Sequence, residues 1–341
     1  MSSSFALNLS PSALRLLAIA FFLATTTSAS AQQKAKPLPE GAEKKTVTIY
    51  SDGTKMIGDL YLPAGFQKGQ KRAAVVFCAG TAGTRRGTPT QMAPYFLEAG
   101  FVFLAFDYRG WGDSDGKLMP LEPLPKPDAR GEVTVKARVV RWQMDFADQT
   151  QDIRAAISYV AGEPSVDPGR IGILGTSYGG GLVTWVGAND FRVKCVVAQV
   201  PGMGGGGRSA AADQKMADLF TKQARGETEP VPYETGKPTG QMAKYAQMRY
   251  NPARSLGYNA FEAAAKIKAP TLLVVAEQEE LMDNKQNGIK VYDIIKARKD
   301  VPTELHVIEG IGHYGVYREA FDQVTKLEIA WFAKHLNGPK K

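Results

Sequence analysis

Arg170-Ile171-Gly172-Ile173-Leu174-Gly175-Thr176-Ser177-Tyr178-Gly179-Gly180 joins a short apolar run to a serine with a glycine two positions away on each side. The run reads as a buried strand, and G-x-S-x-G directly after a strand is the sequence form of a nucleophile elbow, which points to serine hydrolase chemistry. The spacing has a steric reason. A serine lifted to the tip of a sharp strand-to-helix turn is strained, and small residues at Gly175 and Gly179 let the chain fold back closely, with Gly180 expected to add slack. A chain with 35 glycines also produces this pattern in ordinary turns, so the surroundings decide.

Outward from the elbow, the chain alternates strand-like and helix-like segments. Thr46–Tyr50 and Met56–Leu62 alternate polar and apolar residues across Ser51-Asp52-Gly53-Thr54, as a half-exposed antiparallel hairpin does. Ala73–Cys78, Phe101–Phe106, Ile171–Leu174, Val193–Val200, Thr271–Val275 and Leu305–Ile308 are instead continuous apolar runs, the signature of strands buried on both faces. Helical spacing fills the intervals at Met92–Ala99, Phe146–Ala161, from Ser177, Gln286–Ala297 and Ala320–Leu336. The expected fold is α/β: a mostly parallel central sheet flanked by helices, with the hairpin at its start. Two inserts interrupt the rhythm, a proline-rich one at 117–142 and a lid-like one at 201–266 that opens on Pro201-Gly202-Met203 and four glycines.

Length and composition bound the rest. The 341 residues, 44% hydrophobic, suffice for one large domain. Residues 1–31 read as a secretory signal peptide: Arg15, nine apolar residues from Leu16 to Ala24, then small polar residues ending in Ala29-Ser30-Ala31. A membrane anchor is the competing reading, but spanning hydrocarbon takes roughly 20 apolar residues. Cleavage after Ala31 would leave a secreted or periplasmic domain over 32–341 with no stable membrane anchor. It would also remove one of 42 basic residues, leaving 41 against 34 acidic, a net charge of +7. The basic residues are scattered without interleaved aromatics, which argues against a nucleic-acid partner. Three histidines with no ligand spacing give no metal signature.

The elbow and the strand ending Phe106-Asp107-Tyr108-Arg109-Gly110-Trp111-Gly112-Asp113-Ser114 resemble the α/β-hydrolase superfamily, and within it the esterase and dienelactone-hydrolase-like branch. The resemblance implies a triad in chain order serine, acid, histidine. A serine hydroxyl needs a base, nearly always histidine. His313, in the glycine-rich Glu309-Gly310-Ile311-Gly312-His313-Tyr314-Gly315 after the last strand, matches the family's histidine loop; His306 lies within a strand and His335 near the chain end. The acid follows Thr271–Ala276, which places Glu279 there where the family usually has aspartate, with Glu280 and Asp283 as alternatives. The oxyanion would be held by the amides of Tyr178 and of Thr81, with Gly80 second, although the family's histidine before that glycine is absent.

The family's strand order sets the strand of Ser177 between those of Cys78 and Cys195, about 9.5 Å apart. A disulfide needs Cα atoms within roughly 7 Å, so two free buried thiols are expected. Asp113-Ser114-Asp115-Gly116 reads as a turn better than as a calcium loop, because further ligand positions are missing. Tyr233, Tyr245, Tyr250, Tyr258, Met216, Met242 and Met248 either line an apolar substrate pocket or pack the insert on the core. The resulting expectation is an exported serine hydrolase that cleaves a small carboxylic ester, thioester or amide without metal or cofactor. An Xaa-Pro-type peptidase or acyltransferase would use the same triad; a non-catalytic binding protein could share the scaffold.

Overall fold

Glu43–Ser51 (β1) and Thr54–Leu62 (β2) turn back on each other at Asp52-Gly53, both of which have positive φ. The computed structural model describes residues 36–66, 69–204, 209–229 and 245–337; residues 1–31, read above as a signal peptide, lie outside them. After the hairpin come Arg72–Cys78 (β3), Thr88–Glu98 (α1), Val102–Phe106 (β4), and three short strands in the first insert, Leu118–Pro120 (β5), Ala137–Val139 (β6) and Gln143–Met144 (β7). Phe146–Gly162 (α2), Val166–Thr176 (β8), Tyr178–Asn189 (α3) and Val193–Gln199 (β9) carry the chain through the elbow. Ala210–Ala224 (α4), Arg249–Tyr250 (β10) and Ala260–Ala264 (α5) lie in the second insert, before Thr271–Ala276 (β11), Gly288–Arg298 (α6), Thr303–Ile308 (β12) and Phe321–Leu336 (α7).

The main sheet has eight strands in the order β1-β2-β4-β3-β8-β9-β11-β12. β1, β2 and β4 pair antiparallel and every later neighbour is parallel, as the periodicity implied. α1 and α7 pack together on one face, while α2, α3, α5 and α6 pack in succession on the other. Both faces of the inner strands are therefore covered, and β3, β4 and β11 are almost wholly buried. Phe96 of α1 stacks on Phe103 of β4 at 4.8 Å and meets Phe332 of α7 at 6.1 Å, closing the core on that side. β12 departs from the fully buried expectation: it is the edge strand, with no strand beyond it among the described residues, and Val307 is exposed.

β8 lies between β3 and β9, so Cys78 and Cys195 are separated by a strand, and both thiols are free and buried. In the first insert β5 and β6 form their own antiparallel ribbon, and Leu118, Leu124 and Val139 are exposed there. In the second, α4 has no buried residue; residues 205–208 and 230–244, with Tyr233 and Met242, lie outside the described residues. No helix among the described residues is long and apolar enough to cross a membrane.

Candidate active site

Parallel strands all point their C-terminal ends to one side, so the loops after β3, β8, β11 and β12 converge. Ser177, just past β8, has φ 53° and ψ −121°, a region in which a side chain is strained. Backbone bonds hold it there. Its N–H donates to Gln199 O at 2.8 Å, and its carbonyl accepts from Gly180 and Gly202, each at 2.9 Å. The glycines permit close approach: a Cβ at Gly175 would sit 2.2 Å from Gly179 O, and one at Gly179 would sit 2.3 Å from Cys78 O. Gly180 corrects the reading of added slack, because a Cβ there would lie 2.5 Å from Pro201 Cβ; the position is tight.

His313 begins a 3-10 turn, His313–Tyr317, after β12. Its Nε2 lies 3.0 Å from Ser177 Oγ, and its Nδ1 lies 3.0 and 2.9 Å from the two oxygens of Glu279. Both side chains are buried. With Nδ1–H donating to the carboxylate, Nε2 is left to accept the serine proton. Glu279 Oε1 also accepts the Leu281 amide at 3.0 Å, which fixes the carboxylate. The neighbouring acids do other things: Glu280 accepts the His313 backbone N–H at 2.7 Å, Glu277 accepts that of Gly310 at 2.8 Å, and Asp283 caps the short turn Asn284–Gln286. His306 pairs with Glu304 on the edge strand, and His335 packs on Trp331 with ring centres 4.2 Å apart; both are away from the serine.

Tyr178 is the first residue of α3, so its amide has no carbonyl four residues back within the helix and is free to donate elsewhere. Its ring is held between Trp111 and Phe146, its hydroxyl donates to Gln149 at 2.6 Å, and burial pushes the phenol well above its usual range. Thr81 lines the same cleft as Ser177 and His313. Gly80 packs against the serine, since a Cβ on it would lie 3.0 Å from Ser177 Cβ, and Ala82 adopts φ 59° as the loop turns. Arg85 anchors that loop from below: its amide donates to Asp107 Oδ1 at 2.7 Å, while its guanidinium bonds Asp107 Oδ2 at 2.6 Å and Asp113 at 2.7 Å. Asp113 is thereby pulled below the ordinary carboxylate range, and the Asp113-Ser114-Asp115-Gly116 segment is a turn held by Arg85, Arg86 and the Ser114 bond to Asp107 O.

A cleft of about 190 Å³ opens beside the serine, with Phe77, Thr81, Thr88, Tyr245, Tyr314 and Tyr317 among its walls. Tyr317 bonds Thr176 across its floor, and Tyr245 and Tyr314 hydroxyls meet at 3.1 Å. Of the insert's aromatic residues, Tyr245 reaches the cleft, whereas Tyr258 stacks on Phe146 at 4.1 Å and Met248 is buried in the core. No group of three or more His, Cys, Asp or Glu suited to a metal occurs among the described residues. Sequence reasoning missed Glu277, Arg85 and Tyr317; the only trace was a cluster of acids opposite a glycine-rich loop.

The comparisons agree with this architecture. Residues 143–339 match the prolyl oligopeptidase family, and residues 52–206 match the X-Pro dipeptidyl-peptidase (S15) family. An uncharacterised 31.7 kDa protein of the traX-finO intergenic region in Escherichia coli is 29% identical over 78% of this chain and 92% of its own. The quorum-quenching protein AidA of Acinetobacter baumannii is 28% identical over 75% of this chain and 84% of its own. The crystal structure of the α/β hydrolase GrgF from Penicillium sp. sh18 superposes with a TM-score of 0.62 at 20% identity, covering 88% of this chain and all of that one. Strand order, elbow and a family match over more than half the chain lead to one conclusion: the protein belongs to the prolyl oligopeptidase family, within the α/β-hydrolase superfamily.

Proposed function

We propose that the protein is a serine hydrolase that cleaves small carboxylic esters through an acyl-Ser177 intermediate. The observation that carries this reading is the unbroken chain from Glu279 through His313 to Ser177, at 2.9 and 3.0 Å. His313 Nε2 takes the hydroxyl proton as Ser177 Oγ attacks the carbonyl carbon, and Glu279 stabilises the imidazolium that forms. The carbonyl oxygen becomes an oxyanion facing the Tyr178 and Thr81 amides, each donor of this kind contributing on the order of 3 kcal/mol in the transition state. His313 then returns the proton to the departing alkoxide, and water repeats the sequence on the acyl group. Replacing Ser177 with alanine should abolish turnover of a short-chain nitrophenyl ester in a folded protein; an unchanged rate removes the proposal.

The family matches favour a second reading, cleavage of an amide after a short peptide, with the same residues and His313 protonating the departing amine. A panel of esters and proline-containing peptide anilides separates the two, and the quorum-quenching name of one relative adds small signalling molecules to it. The leader-like residues 1–31 support export; N-terminal sequencing of the protein from its native host should then begin at Gln32, and an intact Met1 contradicts it.

A further inference from the structure

We infer that Glu280 is a positioning residue for the reaction proposed above: through the His313 backbone it sets where the imidazole stands between Glu279 and Ser177. The inference rests on that reaction, and it starts from how the loops after β11 and β12 are joined. Glu277 N donates to Ile308 O at 3.0 Å and Gln278 N to Ile311 O at 2.9 Å, so the two loops run alongside each other by backbone bonds. Side chains then complete the seam. Glu277 accepts the Gly310 amide at 2.8 Å and Glu280 accepts the His313 amide at 2.7 Å, which brackets the histidine loop between two carboxylates.

The second of these bonds falls on the histidine itself. The His313 amide opens a 3-10 turn and has no carbonyl partner inside it, so without Glu280 it would have to turn to solvent. The consecutive residues Glu279 and Glu280 thus hold one residue at two points, Nδ1 of the ring and N of the backbone. Two fixed points leave little freedom in the side-chain torsions between them, and the third contact, Ser177 Oγ, is where that precision is used. The fit leaves no room to spare: a Cβ on Gly312 would lie 2.6 Å from Glu280 Oε2. Glu280 is otherwise solvent-facing, so nothing in the hydrophobic core depends on it.

The test separates reach from charge. Glu280→Gln keeps an acceptor oxygen at the same distance without the charge; Glu280→Asp keeps the charge but withdraws the acceptor by one methylene. Glu280→Ala and Glu280→Asp should lower kcat by at least about tenfold, toward the ~10²-fold that a catalytic group displaced by ~1 Å loses, with KM within about twofold. Glu280→Gln should stay within a few-fold of the parent enzyme. The downfield proton resonance of the His313–Glu279 hydrogen bond should be broadened or lost in the first two and kept in the third, while thermal melting of all three stays close to the parent. Unchanged kcat in Glu280→Ala, or equal losses in Glu280→Gln and Glu280→Ala, overturns the inference. Failure of the parent reaction looks different: the unaltered protein would then neither turn over an ester nor react with a fluorophosphonate.

Discussion

Gly179→Ala adds a single methyl group on the strained side of the elbow, and the geometry states what it meets. The new Cβ would lie 2.3 Å from Cys78 O and 2.6 Å from Ala79 O, both backbone atoms. Contacts closer than 3.0 Å are essentially never made by a real Cβ, so the start of α3 or the end of β3 must move by at least 0.7 Å. Neither can move alone. α3 carries the Tyr178 amide, and the chain after β3 leads within three residues to Thr81. Overpacking of this size destabilises by about 1–3 kcal/mol, a drop in Tm of several degrees at most for a domain this long. The activity should suffer more, because a displacement near 1 Å among groups that meet the transition state is worth ~10²-fold. The assay is kcat/KM for a short-chain nitrophenyl ester alongside a thermal melt. A variant that loses at least tenfold in kcat/KM while remaining folded at 25 °C agrees with the reasoning; one with parental activity and an unchanged melt refutes it.

Glu279→Gln should cut kcat by ~10³–10⁴, since the amide neither fixes the imidazole tautomer nor offsets the imidazolium charge; a loss below tenfold in the purified variant assigns the acid elsewhere. Glu328 on α7 is fully buried with neither carboxyl oxygen partnered among the described residues, and that burial pushes its carboxyl well above the ordinary carboxylate range. The folded protein then keeps a proton that the unfolded chain releases above about 4.5, so this group's contribution to stability falls as pH rises toward the raised value. Glu328→Met removes that slope, and calorimetry should show its Tm gain to be larger at pH 8 than at pH 5; an equal or reversed difference contradicts the assignment. Burial also pushes the Cys78 and Cys195 thiols up, so the native protein should react with an aromatic disulfide reagent only after unfolding. Prompt reaction of the native form argues against that burial, and a Cys78–Cys195 linked peptide by mass spectrometry argues against the strand order.

The fold was legible because its signals are local. Buried strands such as Val102–Phe106 and Thr271–Ala276 announce themselves as unbroken apolar runs, and the hairpin turn at Asp52-Gly53 carries its own turn chemistry. Ser177, His313 and Glu279 could be nominated because the family resemblance sets a serine, an acid and a histidine after such strands, and the structure brings the three together. What escaped the sequence was mostly non-local. Glu280 and Glu277 act on backbone amides more than thirty residues away, a contact that no residue pattern encodes. Arg85 holds the loop after β3 through Asp107 and Asp113, whose pairing depends on β3 and β4 lying side by side. Gly180 looked like slack because one sequence cannot distinguish a glycine chosen for flexibility from one chosen for the proximity of Pro201. The exposure of β12 depends on its being last in the sheet, and apolar content alone does not reveal an edge.

The measurement that bears most directly on the account is intact-protein mass spectrometry after brief exposure to a fluorophosphonate, followed by peptide mapping. One adduct per chain is expected, on Ser177, with ester turnover lost in proportion and no adduct in Ser177→Ala. Full ester turnover by a protein that carries no adduct, or that carries it on another residue, would contradict it.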